Sequence, residues 1–354
     1  MTKAFDKVDH NILVSKLRGY GVTDPMLSWI TDYLSNHSLV VKIECVKSGE
    51  FTQSSGVPQG SILVLWLFNI FINDLVDAVE TNALLFADDL KVFTKISSVE
   101  DCRMMQKSLD GISNNMQINP EKCSSMSFHR SKNPLLTSYS ISDVDIPRVT
   151  GIKDLGVFFR QDTGFSDHDD GICKQGNKML GFISRSTRGI NNPDALRTLY
   201  CAMVRQIVEY ASPVWSPYAI GETDRLEALQ RRFIRLVGVR NGFNYVDVPV
   251  VSLSSELQLV SLAVRRDLAD FMFLLKIIRG LLFCPDILSK IDFKLPSGTR
   301  TRELFSRRHY NTSFDFHSPL ARLARLGNRV APDCDLFCDT ISHFRRCATE
   351  IFIP

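Results

Sequence analysis

The sequence has little net charge, few tryptophans and no two cysteines with two residues between them. Its 354 residues include 42 Lys and Arg against 39 Asp and Glu, so a net charge of +3 does not by itself indicate a nucleic-acid partner. Nine cysteines without regular spacing argue against a disulfide framework and favour reduced, buried thiols.

Long hydrophobic runs are also missing. The longest, Ile62–Ile72, contains Asn69 and is too short to span a bilayer. The first residues are charged from Lys3, which is not expected of a signal peptide. We therefore expect an intracellular protein, nuclear or cytoplasmic, without a membrane segment. A hydrophobic content of 44% and this length suit two or three domains with sizeable cores.

Two adjacent aspartates lie between an apolar run over residues 83–87 and an alternating one over 90–92. This pattern predicts a hairpin of two short strands with Asp88 and Asp89 at its tip. Carboxylates so close repel each other unless a cation lies between them. Mg²⁺ is the expected cation, because it accepts one or two carboxylates together with water and phosphate. The alternative is a solvated Asp-Asp turn.

The remaining pattern is mostly helical, with alternation that predicts short strands. Helices are predicted at 10–18, 25–36, 62–75, 98–115, 167–185, 193–212, 222–238 and 257–278. Strands are predicted around residues 40–42, at 51–54, through 126–128 and within 149–159, and 130–147 is predicted to be a loop.

Positive charge is concentrated in residues 171–240. This segment holds eleven Lys and Arg against five Asp and Glu, a net charge of +6, which leaves −3 for the rest of the chain. Such a segment can follow a phosphate backbone, or it can be the solvated surface of ordinary helices.

Four short motifs stand in a characteristic order. They are Ala4-Phe5-Asp6, Gly56-Val57-Pro58-Gln59-Gly60-Ser61, Phe86-Ala87-Asp88-Asp89 and Asn119-Pro120-Glu121-Lys122-Cys123. Together they resemble the palm of reverse transcriptases, in particular those of jockey-like non-LTR retrotransposons. The likeness continues through Lys153-Asp154-Leu155-Gly156-Val157, the primer-gripping strand of that family, and into residues 180–185 and 209–215.

The resemblance implies an α+β fold. Residues 1–160 would form an incomplete polymerase palm, an antiparallel sheet packed on helices, without fingers. Residues 161–244 would form a helical thumb whose basic helices contact the minor groove of a template–primer duplex. Residues 245–354 would form a mostly helical C-terminal region.

The resemblance also assigns catalytic roles. Asp88 and Asp89 would be metal ligands for the two Mg²⁺ ions of nucleotidyl transfer. Lys122 matches a general acid for the leaving pyrophosphate, although a solvated turn lysine is the alternative.

Four further residues match the nucleotide-binding pocket of the family: Phe5, Gln59, Gly60 and Phe86. Phe5 corresponds to the aromatic side chain that blocks a ribose 2′-hydroxyl, so that deoxynucleotides are chosen by steric exclusion. An ordinary core phenylalanine is the alternative for Phe5. At residues 65 and 66 the sequence has Leu-Trp where the family usually has Gly-Pro.

The activity implied is RNA-directed DNA synthesis from deoxynucleoside triphosphates on an RNA template with a DNA primer. The third metal-binding Asp of the family lies five residues before the gate aromatic, which places it immediately before Met1. We therefore expect little or no polymerase activity from the chain as given. Two alternatives remain open: a non-catalytic nucleic-acid-binding remnant, and a gene model clipped from a longer reading frame.

One cysteine–histidine set lies near the end of the sequence, at Cys334, Cys338, His343 and Cys347. Zinc knuckles use Cys-Cys-His-Cys sets, but with two residues between the first cysteines. Cysteines four apart also fall on one face of a helix, where they act as small hydrophobic residues.

Overall fold

A computed structural model describes residues 4–35, 38–52, 55–58, 60–115, 118–294 and 303–352. The chain forms two compact units, residues 1–152 and 153–354. Both combine helices with short antiparallel strands, which confirms the mixed helix-and-sheet class. In the described ranges no helix is both long and apolar enough to cross a membrane.

Among its described residues, the first unit contains four α-helices and eight complete strands. The helices are α1 (His10–Gly19), α2 (Met26–Leu34), α3 (Ile62–Ile72) and α4 (Val99–Asn115). The strands are β1 (Ser38–Leu39), β2 (Lys42–Ile43), β3 (Val46–Lys47), β4 (Phe51–Thr52), β5 (Asn82–Phe86), β6 (Asp89–Phe93), β7 (Ser140–Ile141) and β8 (Val144–Asp145). They pair antiparallel as β1–β4, β2–β3, β5–β6 and β7–β8.

Side-chain caps explain where several helices begin. The Asp9 carboxylate accepts hydrogen bonds from the Asn11 and Ile12 amides at 2.8 and 3.0 Å and starts α1. The Ser61 hydroxyl accepts from the Leu63 amide at 3.3 Å and starts α3. Helix α2 begins one residue later than predicted, because Pro25 is its N-cap.

The core of the first unit lies between α1, α2 and α3. Its buried residues include Leu13, Leu17, Ile30 and Phe68. The opposite face of α3 is apolar and exposed, with Ile62, Leu65 and Trp66 between 58% and 80% accessible. Helix α3 therefore continues unbroken through residues 65–66, and the bulky Trp66 points outward without disturbing the core.

The second unit is mostly helical. Its helices are α5 (Ser166–Ser186), α6 (Pro193–Leu199), α7 (Gln206–Glu209), α8 (Ser212–Trp215), α9 (Ile220–Arg240), α10 (Val250–Glu256), α11 (Leu262–Ile278), α12 (Pro285–Leu288), α13 (Ser313–Phe316), α14 (Pro319–Val330) and α15 (Ile341–Phe352). The division between the units falls within β9 (Gly151–Asp154), which pairs with β10 (Val157–Arg160).

Two apolar clusters stabilise the second unit. One surrounds Tyr200, Trp215 and Phe233, and the other surrounds Phe271 and Phe344. Helix α11 contributes to both, because its first residue Leu262 belongs to the first cluster and Phe271 to the second. One helix thus ties the two clusters into a single unit.

Several predictions about elements were wrong. Residues 126–128 form no strand; the neighbouring Ser125 makes only an isolated bridge to Arg148. The segment predicted as a loop contains the β7–β8 hairpin, whose two-residue strands are too short to show alternation. The described strands form five separate two-stranded sheets where one palm sheet was expected. The helix predicted from 257 begins at Leu262, because Gln258 adopts a left-handed φ of 51°.

Candidate active site

The acid pair lies at the tip of the β5–β6 hairpin, as predicted. Residues Phe86 and Asp89 form the closing pair of the ladder, and Ala87 and Asp88 form the two-residue loop. Ala87 has a φ of 49°, the positive value that a tight hairpin loop requires at its first position. Asp88 is half-buried, and Asp89 and Phe86 are exposed. The hairpin therefore presents two neighbouring carboxylates to solvent.

The hairpin is anchored on both sides. Leu85 packs against the core cluster of the first unit. On the other side, the Thr81 hydroxyl lies 3.2 Å from the Ser108 hydroxyl of α4. Gly111 permits this approach of α4, because a Cβ there would lie 2.6 Å from the carbonyl oxygen of Ala78. A rigid base of this kind positions side chains at a hairpin tip.

Phe5 and Val57, which lies in the loop before α3, both pack in the core cluster that Leu85 contacts. The Phe5 carbonyl accepts a hydrogen bond from the Val57 amide at 2.8 Å, and its ring lies 4.2 Å from the ring of Phe68. Phe5 thus packs on the core and stays partly accessible. Gly60 is exposed with a φ of 101°, and a Cβ there would have open space around it. Gln59 lies outside the described residues.

Lys122 ends a short 3₁₀ turn that Asn119 starts. The Asn119 side-chain oxygen accepts from the Glu121 amide at 3.0 Å, and Lys122 is exposed. Its ammonium group is therefore accessible to an anionic ligand.

A family model described as reverse transcriptase (RNA-dependent DNA polymerase) matches residues 1–183, more than half of the chain. The chain belongs to the reverse transcriptase family. The matched region includes the acid pair, Phe5 and the loop before α3.

Three relatives of this reverse transcriptase chain come from Drosophila melanogaster. The "Probable RNA-directed DNA polymerase from transposon BS" is 24% identical over 257 residues, which are 67% of this chain and 28% of that protein. The corresponding polymerase from transposon X-element is 24% identical over 282 residues, 72% and 30%. The RNA-directed DNA polymerase from mobile element jockey is 28% identical over 252 residues, 66% and 27%. The chain spans less than a third of the length of these relatives.

The β9–β10 hairpin of the reverse transcriptase chain holds the residues that resemble a primer-gripping strand. Leu155 and Gly156 form its turn with φ values of 43° and 89°. The Tyr210 hydroxyl donates to the Leu155 carbonyl at 2.9 Å, and a Cβ on Gly156 would lie 3.0 Å from the Tyr210 ring. Glycine is required there both by the backbone conformation and by the close approach of the tyrosine.

Helix α5 carries a stripe of three cations and one aromatic residue, formed by Lys174, Lys178, Phe182 and Arg185. Their spacing of four, four and three residues places them on one face, and all four are exposed. Other cationic side chains of residues 171–240 make hydrogen bonds within the second unit. The Arg240 guanidinium, for example, donates to the carbonyl oxygens of Ser184 and Ile190.

A second cationic feature comes from a part of the sequence to which no role was assigned. A cleft of about 360 Å³ in the second unit is lined by four arginines, Arg266, Arg322, Arg325 and Arg329. Arg266 is 2% exposed, and its Nη1 has no hydrogen-bond partner among the described residues. Asp267 also lines the cleft, and Arg322 is paired with Asp270, so the positive charge there is partly balanced. The arginines are scattered over more than 60 residues, so only folding brings them together.

Three of the four residues of the cysteine–histidine set lie close together. Ligand atoms of Cys334, His343 and Cys347 all lie within 4.8 Å of one another, and Cys338 is outside this group. Burial and a hydrogen bond with Cys347 raise the pKa of the Cys334 thiol.

Proposed function

We propose that the first unit carries the nucleotidyl-transfer site of an RNA-directed DNA polymerase. The observation that supports this most strongly is the anchored β5–β6 hairpin with Asp88 and Asp89 at its tip, in a chain of the reverse transcriptase family. In this proposal residues 1–160 are palm, 161–244 are a basic thumb and 245–354 are a helical C-terminal region. The substrates are deoxynucleoside triphosphates, a DNA primer and an RNA template.

Asp88 and Asp89 are the proposed ligands of Mg²⁺. The donor set fits this ion, because two solvent-accessible carboxylates provide oxygen ligands and leave room for water and phosphate. When bound, two Mg²⁺ ions activate the primer 3′-hydroxyl and stabilise charge on the leaving oxygens. The protein contribution is to hold the carboxylates on a hairpin fixed by Leu85 and α4.

The other residues bind or orient the nucleotide in this proposal. The accessible edge of Phe5 excludes a 2′-hydroxyl while its ring remains packed on Phe68. Gly60 lets the backbone approach the nucleotide closely because it has no side chain. Gln59 and Phe86 complete the pocket. The ammonium group of Lys122 donates a proton to the leaving pyrophosphate.

Removing one carboxylate tests the metal site. Asp88→Asn and Asp89→Asn are each expected to weaken Mn²⁺ binding in the presence of template–primer and deoxynucleotide by at least about tenfold, since even outer partners of metal ligands contribute that much. Paramagnetic relaxation of water protons measures this binding. Primer extension on poly(rA)/oligo(dT) with Mg²⁺ is a second readout if the wild-type chain, from which little or no extension is expected, extends the primer.

Asp143→Asn is the matched control, because Asp143 is an exposed aspartate at the tip of another hairpin in the same unit. It is expected to bind Mn²⁺ as the wild type does. Unchanged binding in both acid-pair variants, or primer extension that persists in Asp88→Asn, would contradict the assignment. Duplex binding without metal binding would identify a non-catalytic nucleic-acid-binding protein instead.

We also propose that the stripe on α5 contacts the phosphates of the template–primer duplex. Its three cations are spaced along one helix face, and the exposed Phe182 among them can pack on sugar rings. Contacts of this kind supply affinity without reading sequence.

Charge reversal on this face should weaken binding in a salt-dependent manner. The double variant Lys174→Glu/Lys178→Glu is expected to lower the slope of log K against log salt by about 2, because two phosphate contacts are lost. Fluorescence anisotropy of a labelled RNA–DNA hybrid at several salt concentrations measures this slope. Lys276→Glu/Lys290→Glu, two exposed lysines of the same unit outside the stripe, is the control. Equal slopes for both double variants would contradict the proposed contact.

A further inference from the structure

Three side chains near the end of the chain converge on one small volume. His343 and Cys347 lie four residues apart on α15, so they project from the same face one turn apart. Cys334 lies in the turn after α14 and is 5% exposed. Their ligand atoms are all within 4.8 Å of one another.

The distance between the ligand atoms of His343 and Cys347 matches that of a tetrahedral zinc site. Zinc–sulfur and zinc–nitrogen bonds of about 2.3 and 2.0–2.1 Å separate the two ligand atoms by about 3.6 Å in a tetrahedron. The Cys347 Sγ lies 3.4 Å from His343 Nε2. The pair is thus already spaced as two ligands of one ion.

Asp339 lies beside His343 but outside the group of three residues whose ligand atoms are all within 4.8 Å of one another. Its Oδ2 is 3.7 Å from His343 Nε2, against about 3.4 Å expected between nitrogen and oxygen ligands of tetrahedral zinc. The same oxygen accepts from the Asp335 amide at 3.0 Å, which orders the loop between α14 and α15. Nε2 is therefore the nitrogen that faces both a thiol and a carboxylate.

We propose that Cys334, His343 and Cys347 bind a Zn²⁺ ion, with water or an Asp339 carboxylate that moves closer as the fourth ligand. Two thiolates and an imidazole are soft and borderline ligands that favour zinc over the Mg²⁺ of the acid pair. On binding, both thiols release their protons to solvent and no redox change occurs. Arg346, which lies 3.2 Å from His343 Nδ1, must move when that nitrogen carries the imidazole proton.

The ion would join the turn after α14 to the first half of α15. Helix α15 packs on α11 through Phe344 and Phe352, whose rings lie 6.3 and 6.2 Å from that of Phe271. A zinc ion beside this contact closes the loop of residues 334–347 without a disulfide, which suits reduced cysteines. The role of the site is structural and does not depend on the polymerase proposal.

Metal analysis of the full chain tests the proposal. Protein purified under reducing conditions without chelators is expected to hold about one zinc per chain. Replacement by Co²⁺ should produce a thiolate-to-cobalt charge-transfer band, which carboxylate sites such as Asp88 and Asp89 cannot produce. This spectrum is read on the wild type, so it does not depend on the folding of any variant.

Variants then identify the ligands. Cys334→Ser, His343→Asn and Cys347→Ser should each lower zinc content at least tenfold at equal circular dichroism. Cys338→Ser is the matched control, an exposed cysteine of the same segment, and should retain zinc. Wild-type protein without zinc and without a thiolate–cobalt band, a disulfide between Cys334 and Cys347 under reducing conditions, or loss of zinc in Cys338→Ser would each overturn the proposal.

Discussion

At pH 8, Arg322→Met is expected to lower the free energy of unfolding by about 3–5 kcal/mol, because it leaves a buried carboxylate without its counter-ion. Asp270 is fully buried, and its pKa is raised to about 6 by burial, against the opposing charge of Arg322. The Arg322 Nε contacts one Asp270 oxygen, and its Nη2 also donates to the Pro213 carbonyl at 2.9 Å. One arginine therefore joins α14 to α11 and α8.

The sign of the pH dependence follows from the raised pKa. Without Arg322 the pKa of Asp270 in the folded state rises further, so this carboxyl stays protonated over a wider pH range. In the unfolded state the same carboxyl ionises near pH 4. The loss of stability should therefore be larger at pH 8 than at pH 5. Chemical denaturation at the two pH values measures the difference.

Two further variants separate the buried pair from a general effect of losing an arginine. Arg308→Met removes a pair of the same residue types at the surface, with Asp292, and should cost less than about 1 kcal/mol. Asp270→Leu/Arg322→Met removes both buried charges and should recover most of the stability. A loss in Arg322→Met no greater than that in Arg308→Met would contradict the argument.

Asp169→Asn is expected to stabilise the protein by up to about 4 kcal/mol above pH 7 and to have little effect near pH 4. Asp169 is 1% exposed, and neither of its carboxylate oxygens has a hydrogen-bond partner among the described residues. Burial, followed by the negative charge of Glu222, raises its pKa to about 7, against the opposing charges of Arg266 and Arg225.

The pH window follows from these values. Between about pH 4 and 7 the folded state keeps a proton on Asp169 that the unfolded state has released, so stability falls as pH rises. Asparagine cannot ionise, so the stability difference between the variant and the wild type should grow across this window and then level off. Asp170→Asn, the half-exposed neighbour paired with Arg225, is the control. A difference that is independent of pH would contradict the raised pKa.

The hairpin of the acid pair was predictable because its signal is local. An apolar run before Asp88 and Asp89 and alternating residues after them determine strand, turn and strand within about ten positions. Helices α3 and α5 follow equally local patterns. The β7–β8 hairpin was missed because its strands are two residues long. The late start of α11 depends on the backbone of Gln258, which periodicity does not reveal.

The sequence by itself determined the family, the acid pair and the concentration of positive charge in residues 171–240, since each depends on residues close together in the chain. Only the tertiary structure decided which distant groups meet. It placed Arg322 on Asp270, gathered four arginines around one cleft, and grouped Cys334 with His343 and Cys347 while leaving out Cys338. The physical reason is that burial and charge pairing depend on separations in space, which helix packing sets and spacing along the chain does not.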